Sequence, residues 1–477
     1  MQEFAEKLYA PGGALEGAHP WLISVAVMLG GCLIVFLFAA HIAGIYSWFE
    51  RRFAGRIQSR VGPNRVGPQG FAQWAVDGLK TFQKEDLIPE GADSALFKLA
   101  PYVAFAGMFC VFAALPFSSS WVIADFNVAM VYIFAVASVE AIGILLAGWA
   151  SNSKWSFYGG MRSAAQIISY EIPVGIATLA MVIAAGSLSL QEIVRDQGVN
   201  PLDWNLFYSP FAAVAFLCFF TGAIAEINRA PFDLPEAESE LVAGFATEYS
   251  GLRFLFFFFA EWANIYVISA IATCVFFGGW QVPGLPTERL IQFGAPITYG
   301  FLTLTMLGAG AMGWWIAAAR DDKGLRGGTG NSVAATIISL ALGWGPAITA
   351  GVLLWAALMF GVPPGIQKFM ANVVQMLCLF AKAHILVVLV IQLRWTLPRL
   401  RIDQLMMLCW KYLTPAAFIA VLGNAFWMTY VAPDSIFQKL VRLALFAGFV
   451  TLLVIFAMRV ARNLRQTRSA VDLKLNV

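Results

Sequence analysis

The sequence predicts an all-α polytopic membrane protein with about eleven transmembrane helices and one interfacial amphipathic helix. Hydrophobic residues make up 60% of the 477 positions and charged residues only 12%, against about 25% charged in soluble domains. The mean hydropathy is +0.73. Eleven apolar runs are long enough to cross a hydrocarbon core of about 30 Å. These runs lie near residues 21–42, 99–117, 128–150, 172–187, 208–226, 254–278, 296–319, 333–360, 372–392, 412–431 and 441–459.

The basic residues divide unequally between the two sets of loops that join these runs. One set holds 24 of the 31 Lys and Arg residues: 41–98, 150–171, 227–253, 320–332, 393–411 and 459–477. Loops rich in Lys and Arg stay on the cytoplasmic side of a membrane. The sequence therefore predicts an outer N-terminus and a cytoplasmic C-terminus.

The first of these basic loops has the most structure. It contains the turn GPNRVGP, followed by apolar residues at helical spacing (Phe71, Trp74, Ala75, Leu79 and Phe82). Polar residues occupy the other side, so this segment predicts an amphipathic helix at the membrane interface. Its arginines have two open interpretations, since orientation and binding of anionic lipid explain them as well as a functional site does.

The segment from Glu226 to Asn264 is the most unusual part of the chain. It carries seven of the 28 acidic residues although apolar runs flank it on both sides. A carboxylate at the centre of a membrane helix costs about 2.5–3.5 kcal/mol. Such a cluster favours a role in handling protons, ions or a polar ligand, and the alternative is a solvated loop with scattered acids.

Local chemistry predicts order within this acidic segment. Pro231 and Pro235 prevent one continuous helix, and Asp233 followed by Glu236 has the spacing of a helix capping box. Glu236 and Glu240 then share a helical face, with Glu238 on the other. Two like charges at close range repel, so one of the pair is expected to hold a proton near neutral pH.

Further ionisable residues lie inside the apolar runs. Glu140 lies mid-span, Glu171 enters the fourth span, and Lys382 lies in the run LFAKAHILVVLVIQL. Each carboxyl taken alone is equally compatible with a structural role. Together with Glu226 and Glu261 they indicate a relay that lines a hydrated interior. The six cysteines and three histidines form no metal-ligand pattern and no disulfide framework.

Four long motifs in fixed order resemble the H-subunit family of respiratory complex I, the proton-pumping NADH:quinone oxidoreductase. They are ERRFAGRIQSRVGPNRVGPQG, WASNSKWSFYGGMRSAAQIISYEIPV, EINRAPFDLPEAESELVAGFATEYSGLRFLFFFFAEWANI and LRWTLPRLRIDQLMMLCWKYLTP. The resemblance covers roughly residues 20–280 and 372–431 of a single integral membrane domain. Residues 281–371 look like an inserted two-helix hairpin, and 441–477 adds a helix and basic tail to the family's commonest eight-helix plan.

The resemblance implies two groups of site residues and no catalytic or metal-binding residue in this chain. The first group would form the entrance of the quinone chamber: Glu50, Arg51, Arg60, Asp77, Arg229, Asp233, Arg394, Arg399 and Arg401. The second would form a proton and coupling channel: Glu140, Glu171, Glu226, Glu236, Glu238, Glu240, Glu248, Glu261 and Lys382.

The resemblance also implies the setting of this chain. It would lie in a bacterial inner membrane, take quinone as substrate and hold no flavin, iron–sulfur cluster or covalent cofactor. Its partners would be peripheral-arm quinone-site subunits, small membrane subunits, antiporter-like subunits and lipid, but not nucleic acid. The alternatives are an anchor subunit of a related membrane-bound hydrogenase or ferredoxin-linked complex, and a stand-alone secondary ion transporter. A transporter of that kind often shows internal repeats, and none is evident.

Overall fold

A computed structural model describes residues 19–67, 70–234, 242–321, 345–432 and 435–475. This part of the chain is helical and holds no β-strand. The helices, numbered along the chain, are α1 Pro20–Ile57, α2 Gln73–Gln83, α3 Ser94–Val111, α4 Ala129–Ala150, α5 Lys154–Ala185, α6 Leu190–Asp196, α7 Asn205–Tyr208, α8 Pro210–Glu226, α9 Gly251–Phe276, α10 Thr287–Gln292, α11 Gly294–Asp321, α12 Gly345–Phe360, α13 Pro364–Thr396, α14 Ile402–Met407, α15 Thr414–Tyr430 and α16 Ile436–Leu475. A π-helical segment, Leu408–Leu413, joins α14 to α15.

Eight helical segments in the described ranges are long and apolar enough to cross a membrane. They are Pro20–Ile57, Ser94–Ala114, Ala129–Ala150, Lys154–Ala185, Gly251–Phe276, Pro364–Thr396, Ile402–Tyr430 and Ile436–Ile455. Helices α8, α11 and α12 lie where the other three apolar runs were predicted, although part of the run 333–360 is outside the described residues. The predicted fold class, an all-α polytopic membrane protein, is confirmed, and the chain is a membrane protein.

Helix α5 departs from the sequence prediction. The segment 150–171 was predicted as a loop, but the helix already begins at Lys154 and continues through Pro173. The reason is packing by small residues: Gly159 lies against the backbone of Gly244, and Gly160 against that of Gly148. Close backbone contacts of this kind stabilise a helix of modest hydrophobicity, which a search for apolar runs does not detect.

The chain divides into two compact units. One comprises Met1–Trp280 with Cys378–Val477, and the other comprises Gln281–Leu377. In the second unit α11 packs on α12, and the hydroxyl of Tyr299 donates to the carbonyl of Ala357 at 2.8 Å. All the site residues described below belong to the first unit.

Close helix packing in the first unit positions the membrane carboxyl Glu140. Helix α3 packs along α4, and a Cβ atom added at Gly107 would lie 2.9 Å from the backbone nitrogen of Glu140. Only glycine allows this approach, because any side chain would push the two helices apart. The Asp93 carboxylate begins α3 by accepting hydrogen bonds from the amides of Ala95 and Leu96.

Candidate functional site

A buried cluster of charges surrounds Arg229, which follows the end of α8. Its Nη1 lies 3.2 Å from a carboxylate oxygen of Glu50 on α1, and its Nε lies 2.6 Å from Glu261 on α9. The side chain is 2% exposed. Arg394 on α13 approaches the other oxygen of Glu50 at 2.6 Å. One guanidinium thus joins two carboxylates from different helices, as buried charges require compensation.

A second ion pair extends this cluster to the loop after α13. Arg399 lies 3.2 Å from the carboxylate of Asp233, and the amide of Leu400 donates to the carbonyl of Pro231 at 3.0 Å. Asp233 is buried, so its charge also requires a partner. The basic loop and the first part of the acidic segment are therefore joined by both charge and backbone.

A large apolar cavity lies between α1, α2 and α9. Its volume is about 790 Å³, which is in the range of sites for small organic ligands. Phenylalanine, alanine and leucine side chains dominate the walls, with Trp74 contributed by α2 and Trp262 by α9. The amphipathic helix predicted from sequence is present, and its apolar residues line this cavity.

Charged groups lie on the cavity wall where α1 meets α2. Arg51 forms an ion pair with Asp77 at 2.5 Å and donates to the hydroxyl of Ser47 at 2.7 Å. The ring of Trp262 also carries the guanidinium of Arg229 at 4.1 Å from its centroid. This tryptophan therefore belongs to both the cavity wall and the charged cluster.

Two small cavities connect the membrane carboxyls beyond this cluster. Glu140 and Glu261 line one of about 40 Å³, and Glu140 and Glu226 line another of about 40 Å³. A cavity of about 10–15 Å³ holds one water molecule, so each has room for a few. The amide of Asn264 donates to Glu140, and the hydroxyl of Ser138 donates to Glu171 at 2.8 Å. The structure thus brings together the four acids that the sequence places on four spans.

Other predicted residues lie outside this series. Arg60 donates to Gln58 at 2.6 Å on the surface, and Glu248 is partly buried. Arg401 is exposed, and its backbone amide donates to Gln404 at the start of α14. Glu236, Glu238 and Glu240, together with the capping box and the helix predicted there, lie outside the described residues.

Lys382 lies near the end of α9 that is remote from the charged cluster. Its ammonium donates to the carbonyls of Phe277 and Gly279 at 2.9 and 3.0 Å, and it lies 4.4 Å from the centroid of the Trp204 ring. A positive charge is favourable at a helix C-terminus. The carbonyls and the aromatic face stabilise the ammonium in this environment.

Two stacked aromatic rings hold the acidic segment in place just before α9 begins, and we call them the aromatic clamp. The rings of Phe97 and Tyr249 stack with centroids 4.0 Å apart, and Arg253 lies over Phe97 while pairing with Asp86 at 3.2 Å. Burial raises the pKa of Tyr249, so its phenol stays neutral at physiological pH. This clamp holds the segment against α3 where α9 begins.

Sequence reasoning missed two uncharged residues of the site, Trp262 and Asn264. Asn264 could have been found from its spacing, since a residue three positions after Glu261 lies on the same helical face, whereas Trp262 has no such signal. Neither residue is charged, so a search for acidic residues does not find them. Within the described ranges, no group of three or more His, Cys, Asp or Glu side chains is placed to hold a metal ion.

Comparison with protein families matches residues 30–425 of this chain to the NADH dehydrogenase family. The chain belongs to this family. The matched region contains every site residue described above, whereas α16 lies beyond it.

Several members of the family are similar to this chain over most of its length. The H subunit of NADH-quinone oxidoreductase from Anaeromyxobacter dehalogenans is 44% identical over 412 residues, which cover 86% of this chain and 84% of the relative. The H subunit from Chlorobium luteolum is 38% identical over 430 residues, covering 89% and 95%. That of Chlorobaculum tepidum is 39% identical over 387 residues, covering 81% and 87%.

Proposed function

We propose that this chain is the membrane subunit of a proton-translocating NADH:quinone oxidoreductase that forms the entrance of the quinone chamber and links it to an acidic proton path. Similarity to the H subunits of NADH-quinone oxidoreductases supports the first part. The cavity between α1, α2 and α9 supports the second.

The shape and chemistry of this cavity suit a membrane quinone. An isoprenoid tail is apolar and needs an apolar wall, which the phenylalanine, leucine and alanine side chains supply. The quinone head needs polar partners at one end, and the pair of Arg51 with Asp77 provides them on the wall. Arg60 and Arg401 would contribute to the same entrance from its surface.

The position of Trp262 is the observation that best supports coupling between the cavity and the charged cluster. It lines the cavity while its ring carries Arg229, which joins Glu50 to Glu261. Reduction of a quinone to a quinol takes up two electrons and two protons. If side chains near the cavity supply those protons, the charge beside this cluster changes. At close range and reduced dielectric, one charge changes the energy of its neighbour by several kcal/mol. The electrons would come from an iron–sulfur cluster in another subunit.

The acidic residues beyond the cluster would carry the response away from the quinone. Glu261, Glu140 and Glu226 share two small cavities, and Glu171 lies near them. A proton can pass between carboxyls through water that bridges them. Asp233 with Arg399 and Arg394 would support the segment that carries Glu236, Glu238, Glu240 and Glu248, and Lys382 would belong to the same coupling channel at its remote end.

The orientation and partners form part of the same proposal. The acidic segment and the C-terminus would lie on the cytoplasmic side of a bacterial inner membrane, an orientation that the excess of Lys and Arg in the basic loops supports. The cavity would then open towards peripheral-arm subunits that bring the electrons. The acidic series would lead to small membrane subunits and to antiporter-like subunits.

Photolabelling tests the quinone entrance directly. Native membranes would be treated with a quinone analogue carrying a photoreactive group on its tail, and labelled peptides would be mapped. Label that excess quinone removes is expected in residues 36–82 and 252–262. Label on α12 would serve as the control, because binding from the lipid phase is not reduced by quinone. Saturating probe without any such label in this chain, in an active complex, would indicate an anchoring or coupling subunit instead.

A further inference from the structure

Two buried tyrosines lie on the helices that carry Glu50 and Glu261, and their hydroxyls have no role in the function proposed above. Tyr46 is 3% exposed and Tyr266 is 0% exposed. Among the described residues, none forms a hydrogen bond with the Oη atom of either tyrosine. Buried polar atoms in native proteins are almost always bonded to protein or to ordered water. These two hydroxyls therefore indicate a polar site within the helical bundle.

His384 on α13 adds a titratable group to the same place. Its ring centroid lies 5.2 Å from that of Tyr46, and the Tyr46 centroid lies 6.5 Å from that of Tyr266. Nδ1 of the imidazole lies 2.6 Å from the carbonyl oxygen of Phe380. A carbonyl only accepts hydrogen bonds, so Nδ1 carries a proton and Nε2 is the nitrogen that can bind another.

The residues around the two hydroxyls and the imidazole limit which groups can form hydrogen bonds with them. The rings of Phe38, Phe112 and Phe380 pack around Tyr266 with centroids 5.7–6.2 Å away. The titratable groups near them along the same three helices include Glu50 on α1, Glu261 and Cys274 on α9, and Lys382 on α13. Glu50 is in ion pairs and Lys382 is bonded to backbone carbonyls. Internal water is the partner that suits two hydroxyls and one imidazole nitrogen.

We propose that Tyr46, Tyr266 and His384 form an internal water-binding site that loads a proton beside the charged cluster. Tyr46 lies one helical turn from Glu50, so its side chain shares a face of α1 with that carboxylate. A proton that reaches the cluster along the proposed acidic path passes to the bound water, and Nε2 of His384 takes it from that water to form an imidazolium. This step rests on the proposed coupling function, whereas the binding of water does not.

The hydrogen bond at Nδ1 determines where a proton can enter and leave His384. The Phe380 carbonyl cannot accept a proton, so a proton that enters at Nε2 must leave from Nε2. His384 is therefore a reversible store at the end of a branch rather than a link in a continuous path.

Hydroxyl-radical footprinting of the intact complex tests the binding of water. Radicals formed from bound water oxidise the side chains that touch it, including buried ones. Tyr46 and Tyr266 are expected to be oxidised. Tyr170 is the matched control, because it is also 0% exposed but its hydroxyl donates to the carbonyl of Leu405 at 2.8 Å. Absence of oxidation at Tyr46 and Tyr266, with surface tyrosines oxidised normally, would overturn the water site.

Proton pumping tests the loading step. Tyr46→Phe and His384→Gln are expected to lower the number of protons moved per NADH oxidised while quinone reduction continues, and Tyr170→Phe is expected to leave that number unchanged. Normal pumping in both site variants would overturn the proton-loading role. The quinone entrance is tested separately. If the wild-type chain carries no photolabel that excess quinone can remove, the proposed entrance is refuted, but the footprinting result still stands.

Discussion

Replacing Arg229 with methionine tests whether the buried cluster depends on one shared guanidinium. Methionine keeps an unbranched apolar stem but removes the charge. Glu50 retains Arg394 at 2.6 Å, whereas Glu261 loses its partner at 2.6 Å. Breaking a buried ion pair from one side costs about 3–5 kcal/mol. Most of the loss should therefore come from Glu261.

A change at Glu261 separates the two parts of this loss. Glutamine at position 261 keeps the length of the side chain and carries no charge, so it removes the need for the guanidinium. Arg229→Met alone is therefore expected to lower the free energy of unfolding by about 3–5 kcal/mol, and the double variant Arg229→Met with Glu261→Gln by less.

Thermal inactivation of the detergent-solubilised complex measures this effect. If the whole loss lowers the barrier to inactivation, the rate rises by about 160- to 5,000-fold. The double variant Arg229→Met with Glu261→Gln is the control, because glutamine needs no counter-charge, and it should recover most of the stability. An unchanged rate in the single variant, or a double variant no more stable than the single, would refute the reasoning.

Three further predictions concern separate parts of the structure. Gly44→Leu should raise the KM for quinone, since a Cβ there would overlap the ring of Trp74 and displace α2; Gly30→Leu, at an open position of α1, should not. Asp93→Ala should lower thermal stability by about 1 kcal/mol through loss of the α3 cap, and Asp93→Asn by less. Lys382→Met should lower it by about 1.5–3 kcal/mol because two backbone carbonyls lose a charged donor, and Lys382→Arg should retain part of that stability. Unchanged melting of the Asp93 or Lys382 variants would contradict these assignments.

The helices were largely predictable from sequence, because apolar length determines which segments can cross a membrane. Helix α2 was also predictable, since its apolar residues recur at helical spacing. The early start of α5 was not, because contacts made by Gly159 and Gly160 depend on residues distant in the chain. Apolar runs identify what lipid favours, but they do not detect helices stabilised by close packing.

The site was predictable as a set of charges but not as a set of pairs. The sequence separately indicates Glu50, Arg229 and Arg394 as candidates, and nothing in it shows that both arginines meet the same carboxylate. Such pairings depend on the arrangement of α1, α9 and α13. The sequence also does not identify Asn264 as the hydrogen-bond partner of Glu140, because Asn264 is an uncharged residue in an apolar run.

The pairing of Glu50 with Arg394 also has a consequence for biosynthesis. The ribosome makes Glu50 early and Arg394 near the end, so most of the chain is inserted while this carboxylate lacks one of its two cations. The bond between Leu400 and Pro231 likewise forms only after α13 has emerged. A nascent or truncated subunit that ends before α13 therefore has Arg229 alone to balance Glu50, and its buried charge reaches full compensation only when the last third of the chain is in place.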